Sequence, residues 1–147
     1  MNAYFDTGIL LKLYTVEPES AMVRAFVVQR SEALPVSGLH LAEAASALRL
    51  KQFRGECDAV QVSKVLGLME EDLDGGVLSR IAVDWDETWR RTRALSDAHA
   101  ATTGCRTLDS LHVACASLLH MQEFISSDHR QRMLAREIGL NVINPCS

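Results

Sequence analysis

The chain alternates short apolar runs with longer stretches in which apolar residues recur at helical spacing. The short runs at 2–6, 33–37, 77–83, 124–125 and 141–145 predict five strands. Strands separated by helices favour parallel pairing, so we expect an α/β fold, a three-layer α/β/α sandwich around a central, mostly parallel five-stranded sheet. Helices are predicted at 7–14, 16–30, 38–55, 58–73, 86–102, 107–120 and 129–140.

Composition narrows the class of protein. A chain of 147 residues with 48% hydrophobic residues is predicted to form a single domain over 1–147. We expect no signal peptide, no membrane span and, with four cysteines that form no disulfide or zinc pattern, a cytoplasmic location. The net charge of −4 argues against nucleic-acid binding through bulk positive charge, but allows an enzyme that meets phosphates through metal ions. In the helix 86–102, Trp89 and Leu95 are expected to face inward.

Four acidic residues lie among apolar or helix-initiating residues, and each has an ordinary interpretation. Asp6 and Asp128 are well placed to cap the helices that follow them. Asp109 falls in the first turn of a helix, where the helix dipole favours an acidic side chain. Glu43 has alanine neighbours and no extended polar face around it, although exposure to solvent would also satisfy it.

What these four residues share is their position relative to the predicted strands. Asp6, Glu43, Asp109 and Asp128 each fall at, or just beyond, the carboxyl end of a predicted parallel strand, where the ligand crevice of an open α/β sheet lies. Carboxylates that converge there would repel one another unless some took up protons or a cation bound. An all-oxygen ligand set without paired His or Cys suits Mg²⁺ or Mn²⁺ better than zinc.

The same residues resemble a known family in their order and spacing. Asp6 in YFDTGILLKLY, Glu43 in LAEAASALR, Asp109 in RTLDSLHVACA and Asp128 in FISSDHRQRMLAREIGLNVINP resemble the PIN-domain nucleases. Within that family they are similar to the VapC-type toxins of bacterial and archaeal toxin–antitoxin pairs. The resemblance covers nearly the whole chain.

This resemblance implies a PIN-like fold and a Mg²⁺- or Mn²⁺-dependent endoribonuclease. It also implies a type II toxin that forms a homodimer and is inhibited by a cognate antitoxin protein. One position departs from the family. Gly8 stands where the family usually has a Ser or Thr, whose hydroxyl could help to order the first acidic residue. Thr7 and Ser126 are the candidates to supply that hydroxyl from the second shell of ligands.

The mechanism expected from this resemblance is hydrolysis of an RNA phosphodiester by a metal-activated water. The four carboxylates would be both the catalytic residues and the metal ligands. The candidates for contact with the RNA phosphates, which could equally be surface residues of their helices, are Arg106, His112 and Arg130.

Two other functions compete with this hypothesis. The chain could be a catalytically weak module that binds an antitoxin and acts mainly in autoregulation of its operon. It could also be a phosphatase or phospho-acceptor with Asp6 as nucleophile, but haloacid-dehalogenase-like enzymes need a second Asp two residues on, where this chain has Gly8.

Overall fold

The computed structural model describes residues 2–147 and contains alternating strands and helices. Each predicted element is confirmed, with ends that shift by a few residues. The strands are β1 (Ala3–Phe5), β2 (Leu34–Val36), β3 (Leu78–Arg80), β4 (Glu123–Ile125) and β5 (Asn141–Ile143). The helices are α1 (Thr7–Lys12), α2 (Ser20–Arg30), α3 (Gly38–Phe53), α4 (Ala59–Asp74), α5 (Trp85–Thr103), α6 (Thr107–Leu118) and α7 (His129–Glu137).

The chain divides into two compact units. The first unit contains the described residues up to Ile9 together with Ala82–Ser147, and the second unit is Leu10–Ile81. Helix α1 therefore begins in the first unit and ends in the second. The assignment of all 147 residues to a single domain stays a prediction.

The first unit is built on a parallel sheet with the strand order β1-β4-β5. Tyr4 of β1 pairs with Phe124 of β4, and their rings stack at a centroid distance of 5.7 Å. Both rings are fully buried, and α5, α6 and α7 pack against one another in the same unit. Because β1 and β4 are parallel, the residues that follow them, Asp6 and Ser126, emerge at the same edge of the sheet.

The second unit contains the parallel pair β2 and β3, with α3 and α4 packed together. Ser37 follows β2, and its backbone N–H donates to Nδ1 of the buried His40 at 3.0 Å, which satisfies one amide at the start of α3. Tyr14 donates to Asp72 of α4 at 2.5 Å. Burial and this hydrogen bond raise the pKa of the Tyr14 hydroxyl.

The prediction of one continuous five-stranded sheet is wrong in detail. Within residues 2–147 the parallel strands form one sheet of three and one of two. An apolar pattern identifies the extended residues but not the strand edges that hydrogen-bond. Here each ladder joins only three residue pairs, so little in the sequence marks its partner. The three-layer arrangement stays a prediction.

Two expectations about individual positions have different outcomes. Leu95 is buried, as expected, whereas Trp89 is 49% exposed and the prediction that it faces inward is wrong. Helix α5 has polar residues around much of its surface, so its pattern does not specify one buried stripe. Across residues 2–147, no helix has both the length and the apolar character needed to cross a membrane.

Candidate active site

Asp6 is the first residue after β1 and is only 6% exposed. Its backbone N–H continues the sheet by donating to the Ile125 carbonyl at 3.0 Å. Its Oδ1 accepts the backbone N–H of Ile9 at 2.8 Å, so the side chain caps α1. The ordinary interpretation of Asp6 as a helix cap is therefore confirmed. That hydrogen bond occupies one carboxylate oxygen and leaves the role of Oδ2 to be explained.

Oδ2 of Asp6 lies against Ser126, the first residue after β4. The Ser126 hydroxyl is fully buried and lies 2.6 Å from Asp6 Oδ2. The same hydroxyl accepts the backbone N–H of Asp128 at 3.0 Å. One serine thus connects the acidic residue at the end of β1 with the acidic residue that follows β4.

The environment of Asp6 opposes its negative charge. Burial raises the pKa of the Asp6 carboxyl, and the nearby Asp128 carboxylate raises it further. The hydrogen bonds from Ser126 and the Ile9 N–H, together with His112, lower the pKa but do not cancel the effect of burial. A cation close to Asp6 would favour the ionised form and relieve this cost.

Asp109 and Asp128 line the same pocket in the first unit. Asp109 is half-buried in the first turn of α6, and Asp128 is exposed at the start of α7. The pocket has a volume of about 380 Å³, and its other lining residues are Arg106, His129 and Arg130. The pocket therefore combines two carboxylates with two guanidinium groups, a composition suited to a phosphate that arrives with a cation.

The charged residues of the pocket also shift the pKa of the Cys105 thiol. Burial raises the pKa of Cys105 most, and the Asp109 and Asp128 carboxylates raise it further, while Arg130 lowers it. The charges of Asp109, Asp128 and Arg130 therefore all influence the buried Cys105 sulfur, which directly precedes the pocket residue Arg106. The chain reaches this position from Gly104, which ends α5 with a φ of 70°.

His112 is a buried residue of α6, three positions after Asp109, and is only 2% exposed. Its Nδ1 lies 2.7 Å from the Tyr4 hydroxyl and its Nε2 lies 3.2 Å from Thr7 Oγ1. Both ring nitrogens therefore have buried hydroxyl partners, which favours a structural role over contact with RNA phosphate. Of the two hydroxyls predicted to support Asp6, that of Ser126 lies 2.6 Å from Asp6 Oδ2, and that of Thr7 lies 3.2 Å from His112 Nε2.

Gly8 is exposed in α1, next to the Asp6 side chain. A Cβ at position 8 would lie 3.6 Å from Asp6 Oδ1, which is an ordinary contact distance. A serine at this position would thus fit beside the carboxylate.

Glu43 lies on α3 in the second unit and is half-buried. The structure places Asp109 and Asp128 in one pocket and connects Asp6 to Asp128 through Ser126, and the role of Glu43 stays a prediction. Two further polar residues of the first unit were not identified from the sequence. His129 lines the pocket, and Gln131 is buried beside Ser126. The spacing Asp-x-x-Gln, which is typical of a capping box, was the available signal for Gln131.

The donor atoms fit a hard divalent cation in kind, because they are carboxylate oxygens and one of them belongs to a buried group with a raised pKa. They do not form a closed cage. In the part of the chain that the structure describes, no group of three or more His, Cys, Asp or Glu side chains is spaced to hold a metal ion. Residues 2–147 therefore supply suitable ligands whose side chains would have to converge on an ion.

The fold and the site together define an α/β protein with a charged pocket at the starts of α6 and α7, of which α7 follows strand β4. The chain belongs to the PIN domain family, whose model matches residues 3–137. PIN domains are a nuclease family, and the family resemblance found in the sequence is confirmed.

The solved structures that share this fold include the following two. The structure of FitAB bound to the IR36 DNA fragment matches with a TM-score of 0.67 and 16% identity over 99% of this chain and 96% of the other. The crystal structure of FitAcB from Neisseria gonorrhoeae matches with a TM-score of 0.61 and 15% identity over 97% of each chain. No curated protein matches this sequence significantly. At these identities the similarity to the solved structures concerns the fold.

Proposed function

We propose that this chain is a Mg²⁺- or Mn²⁺-dependent endoribonuclease and the toxin of a type II toxin–antitoxin pair. The observation that carries the proposal is the placement of Asp109 and Asp128 in one pocket of a PIN domain, with Asp6 close enough to Asp128 for their charges to interact. These three residues would hold the ion. The prediction from the sequence that Glu43 is a fourth ligand remains part of the proposal.

The protein's own groups have separable tasks in this reaction. When bound, the cation supplies Lewis-acid activation of water and neutralises charge on the phosphate. Arg106 and Arg130 are exposed at the pocket and can bind phosphate oxygens through their guanidinium groups. Ser126 orients Asp6 Oδ2, and the capping bond from Ile9 fixes Oδ1. His112 lies within hydrogen-bonding distance of both the Tyr4 and the Thr7 hydroxyls and thereby connects α6 to β1 and α1.

The proposal includes a protein partner. The similarity in fold to FitAB bound to a DNA fragment supports an antitoxin that binds this chain and DNA. It also supports the alternative in which the chain acts mainly as a binding module in autoregulation. A homodimer and a cytoplasmic location complete the proposal, as the resemblance to VapC-type toxins implies.

Cleavage of a structured RNA tests the enzyme directly. We expect cleavage in Mg²⁺ or Mn²⁺, none in EDTA, and a loss of about a hundredfold or more in Asp6→Asn and Asp109→Asn, because a ligated metal supplies several kcal/mol of transition-state stabilisation. Asp97→Asn is the matched control. Asp97 is exposed on α5, where its Oδ2 lies 3.9 Å from Arg93 Nε in a surface ion pair. Equal activity in EDTA, or in both site variants, would contradict the proposal and leave the binding module.

A further inference from the structure

Gln131 is a buried polar residue in the first turn of α7. It is only 1% exposed, although glutamine is mostly found at protein surfaces. A buried amide must be hydrogen-bonded to be tolerated. The partners of Gln131 therefore show what the residue is for.

The hydrogen bonds of Gln131 reach two of the predicted metal ligands directly and the third, Asp6, through Ser126. Its backbone N–H donates to Asp128 Oδ1 at 2.8 Å. Its Nε2 donates to the backbone carbonyl of Asp109 at 3.2 Å. Its Oε1 lies 2.8 Å from Ser126 Oγ, which in turn lies 2.6 Å from Asp6 Oδ2. Through its backbone N–H and its side chain, Gln131 thus connects the starts of α6 and α7 and, by way of Ser126, the residue that follows β1.

The Ser126 hydroxyl has one proton and two acceptors. Asp6 Oδ2 and Gln131 Oε1 both face it, and it donates to one of them at a time. The donor bond from Nε2 to the Asp109 carbonyl fixes the amide so that the oxygen, not the nitrogen, faces Ser126. Gln131 therefore offers the Ser126 proton a second acceptor whenever Asp6 Oδ2 is engaged elsewhere.

We infer that Gln131 is a positioning residue for the metal site, an inference that rests on the proposed function. It fixes the spacing of the helix starts that bear Asp109 and Asp128. It also accepts the Ser126 proton when Asp6 Oδ2 turns to a cation. An apolar side chain of the same length would leave Ser126 bonded to Asp6 and would release the Asp109 backbone.

The test is Mn²⁺ binding by titration calorimetry to Gln131→Met, with Gln61→Met as the matched control. Gln61 occupies the same position in an Asp-x-x-Gln start, that of α4, but there its Oε1 accepts the Asp58 N–H at 2.9 Å in an exposed capping box. We expect the Kd for Mn²⁺ to rise about tenfold or more in Gln131→Met, as is usual when the support of a metal ligand is lost, and to be unchanged in Gln61→Met.

Two further variants separate positioning from loss of stability. Leu134→Ala removes a buried apolar side chain from the same helix and should lower the melting temperature without changing the Kd for Mn²⁺. Gln131→Asn keeps the amide on a shorter side chain that does not span Ser126 and Asp109 together, so it should also weaken binding. If Gln131→Met does not fold, Gln131→Asn replaces it in the Mn²⁺ titration. Saturating Mn²⁺ should restore kcat in the Gln131 variants, with the KM for RNA unchanged.

The outcomes are distinct. If the wild-type protein neither binds Mn²⁺ nor cleaves RNA, the proposed function fails and this inference fails with it. If the wild type does both, and folded Gln131→Met or Gln131→Asn binds Mn²⁺ with the wild-type Kd, only the inference is overturned. An equal loss of affinity in Leu134→Ala would also overturn it, because destabilisation of α7 would then explain the effect.

Discussion

Two helices of this chain begin with the same spacing, Asp-x-x-Gln, and differ in what surrounds it. At α4, Asp58 Oδ1 accepts the Gln61 N–H at 2.8 Å, and Gln61 closes the reciprocal bond in an exposed capping box. At α7, Asp128 Oδ1 accepts the Gln131 N–H at the same 2.8 Å, but the Asp128 N–H donates to Ser126. The Gln131 side chain is thereby released to bond elsewhere.

The difference shows that a helix cap and a functional carboxylate are compatible interpretations of one residue. Capping occupies Oδ1 of Asp128, just as it occupies Oδ1 of Asp6. A carboxylate has a second oxygen, whose use depends on tertiary surroundings. Oδ2 of Asp6 meets the buried Ser126 hydroxyl, and Asp128 lines a pocket with Asp109, whereas Asp58 is exposed outside that pocket.

The largest expected effect is a difference in RNA cleavage between variants of Asp128 and of Asp58. Asn caps a helix about as well as Asp, so Asp128→Asn and Asp58→Asn should both fold. We expect Asp128→Asn to lose about a hundredfold or more in kcat/KM, equivalent to about 2.7 kcal/mol of transition-state stabilisation. Asp58→Asn should stay within about twofold of the wild type, because it changes an exposed residue of the second unit. Equal losses would show that the two helix starts do not differ in function.

A smaller effect is expected in how thermal stability depends on pH, because Asp6 is a buried helix cap. Burial raises the pKa of Asp6 above its ordinary 3.8, so the folded protein retains a proton that the unfolded chain releases. Without metal, wild-type stability should therefore fall as pH rises from 3.8 through the raised pKa, and then level off. Asp6→Asn has no such charge, so we expect its melting temperature in EDTA to exceed that of the wild type by a few degrees, by a margin that grows over this window.

Thermal melting at a series of pH values checks this expectation. Added Mn²⁺ serves as the control, because it should stabilise the wild type and not Asp6→Asn, and so narrow the margin. A margin that is constant with pH would contradict the raised pKa of Asp6.

The smallest effect concerns the exposed cap alone. Asp58→Ala removes the side chain that accepts the Gln61 N–H, and it should lower the free energy of unfolding by about 1 kcal/mol. Denaturant titration measures this change. RNA cleavage should be unaffected, and a loss of cleavage greater than the change in stability explains would mean that α4 contributes to the reaction.

The sequence predicted the elements of this fold well, because each is marked by local chemistry. Asp58, Asp84 and Asp128 cap the helices that follow them, and Gly104 ends α5 at a positive φ. The pairing of the strands was not predictable in the same way. It depends on which edges meet, and strands of three residues carry too few alternating positions to specify their partners.

The site was predictable as a set of acidic residues but not as a network. The positions of Asp6 and Asp128 after parallel strands follow from the apolar pattern. The contacts of Ser126 with Asp6 and of His112 with Tyr4 join residues 120 and 108 positions apart in the chain. Gln131 is buried by partners that include Asp109, 22 positions away on another helix. Local patterns contain no record of such contacts, so the sequence left His112 either as a candidate for phosphate contact or as a surface residue and did not indicate its burial.

The most direct test is calorimetric titration of Mn²⁺ into the metal-free wild type, Asp6→Asn and Asp58→Asn. We predict that the wild type and Asp58→Asn bind Mn²⁺ with the same Kd, and that Asp6→Asn binds about tenfold more weakly or not at all. Binding to Asp6→Asn with the wild-type Kd would contradict the assignment of Asp6 as a ligand and, with it, the proposed metal site.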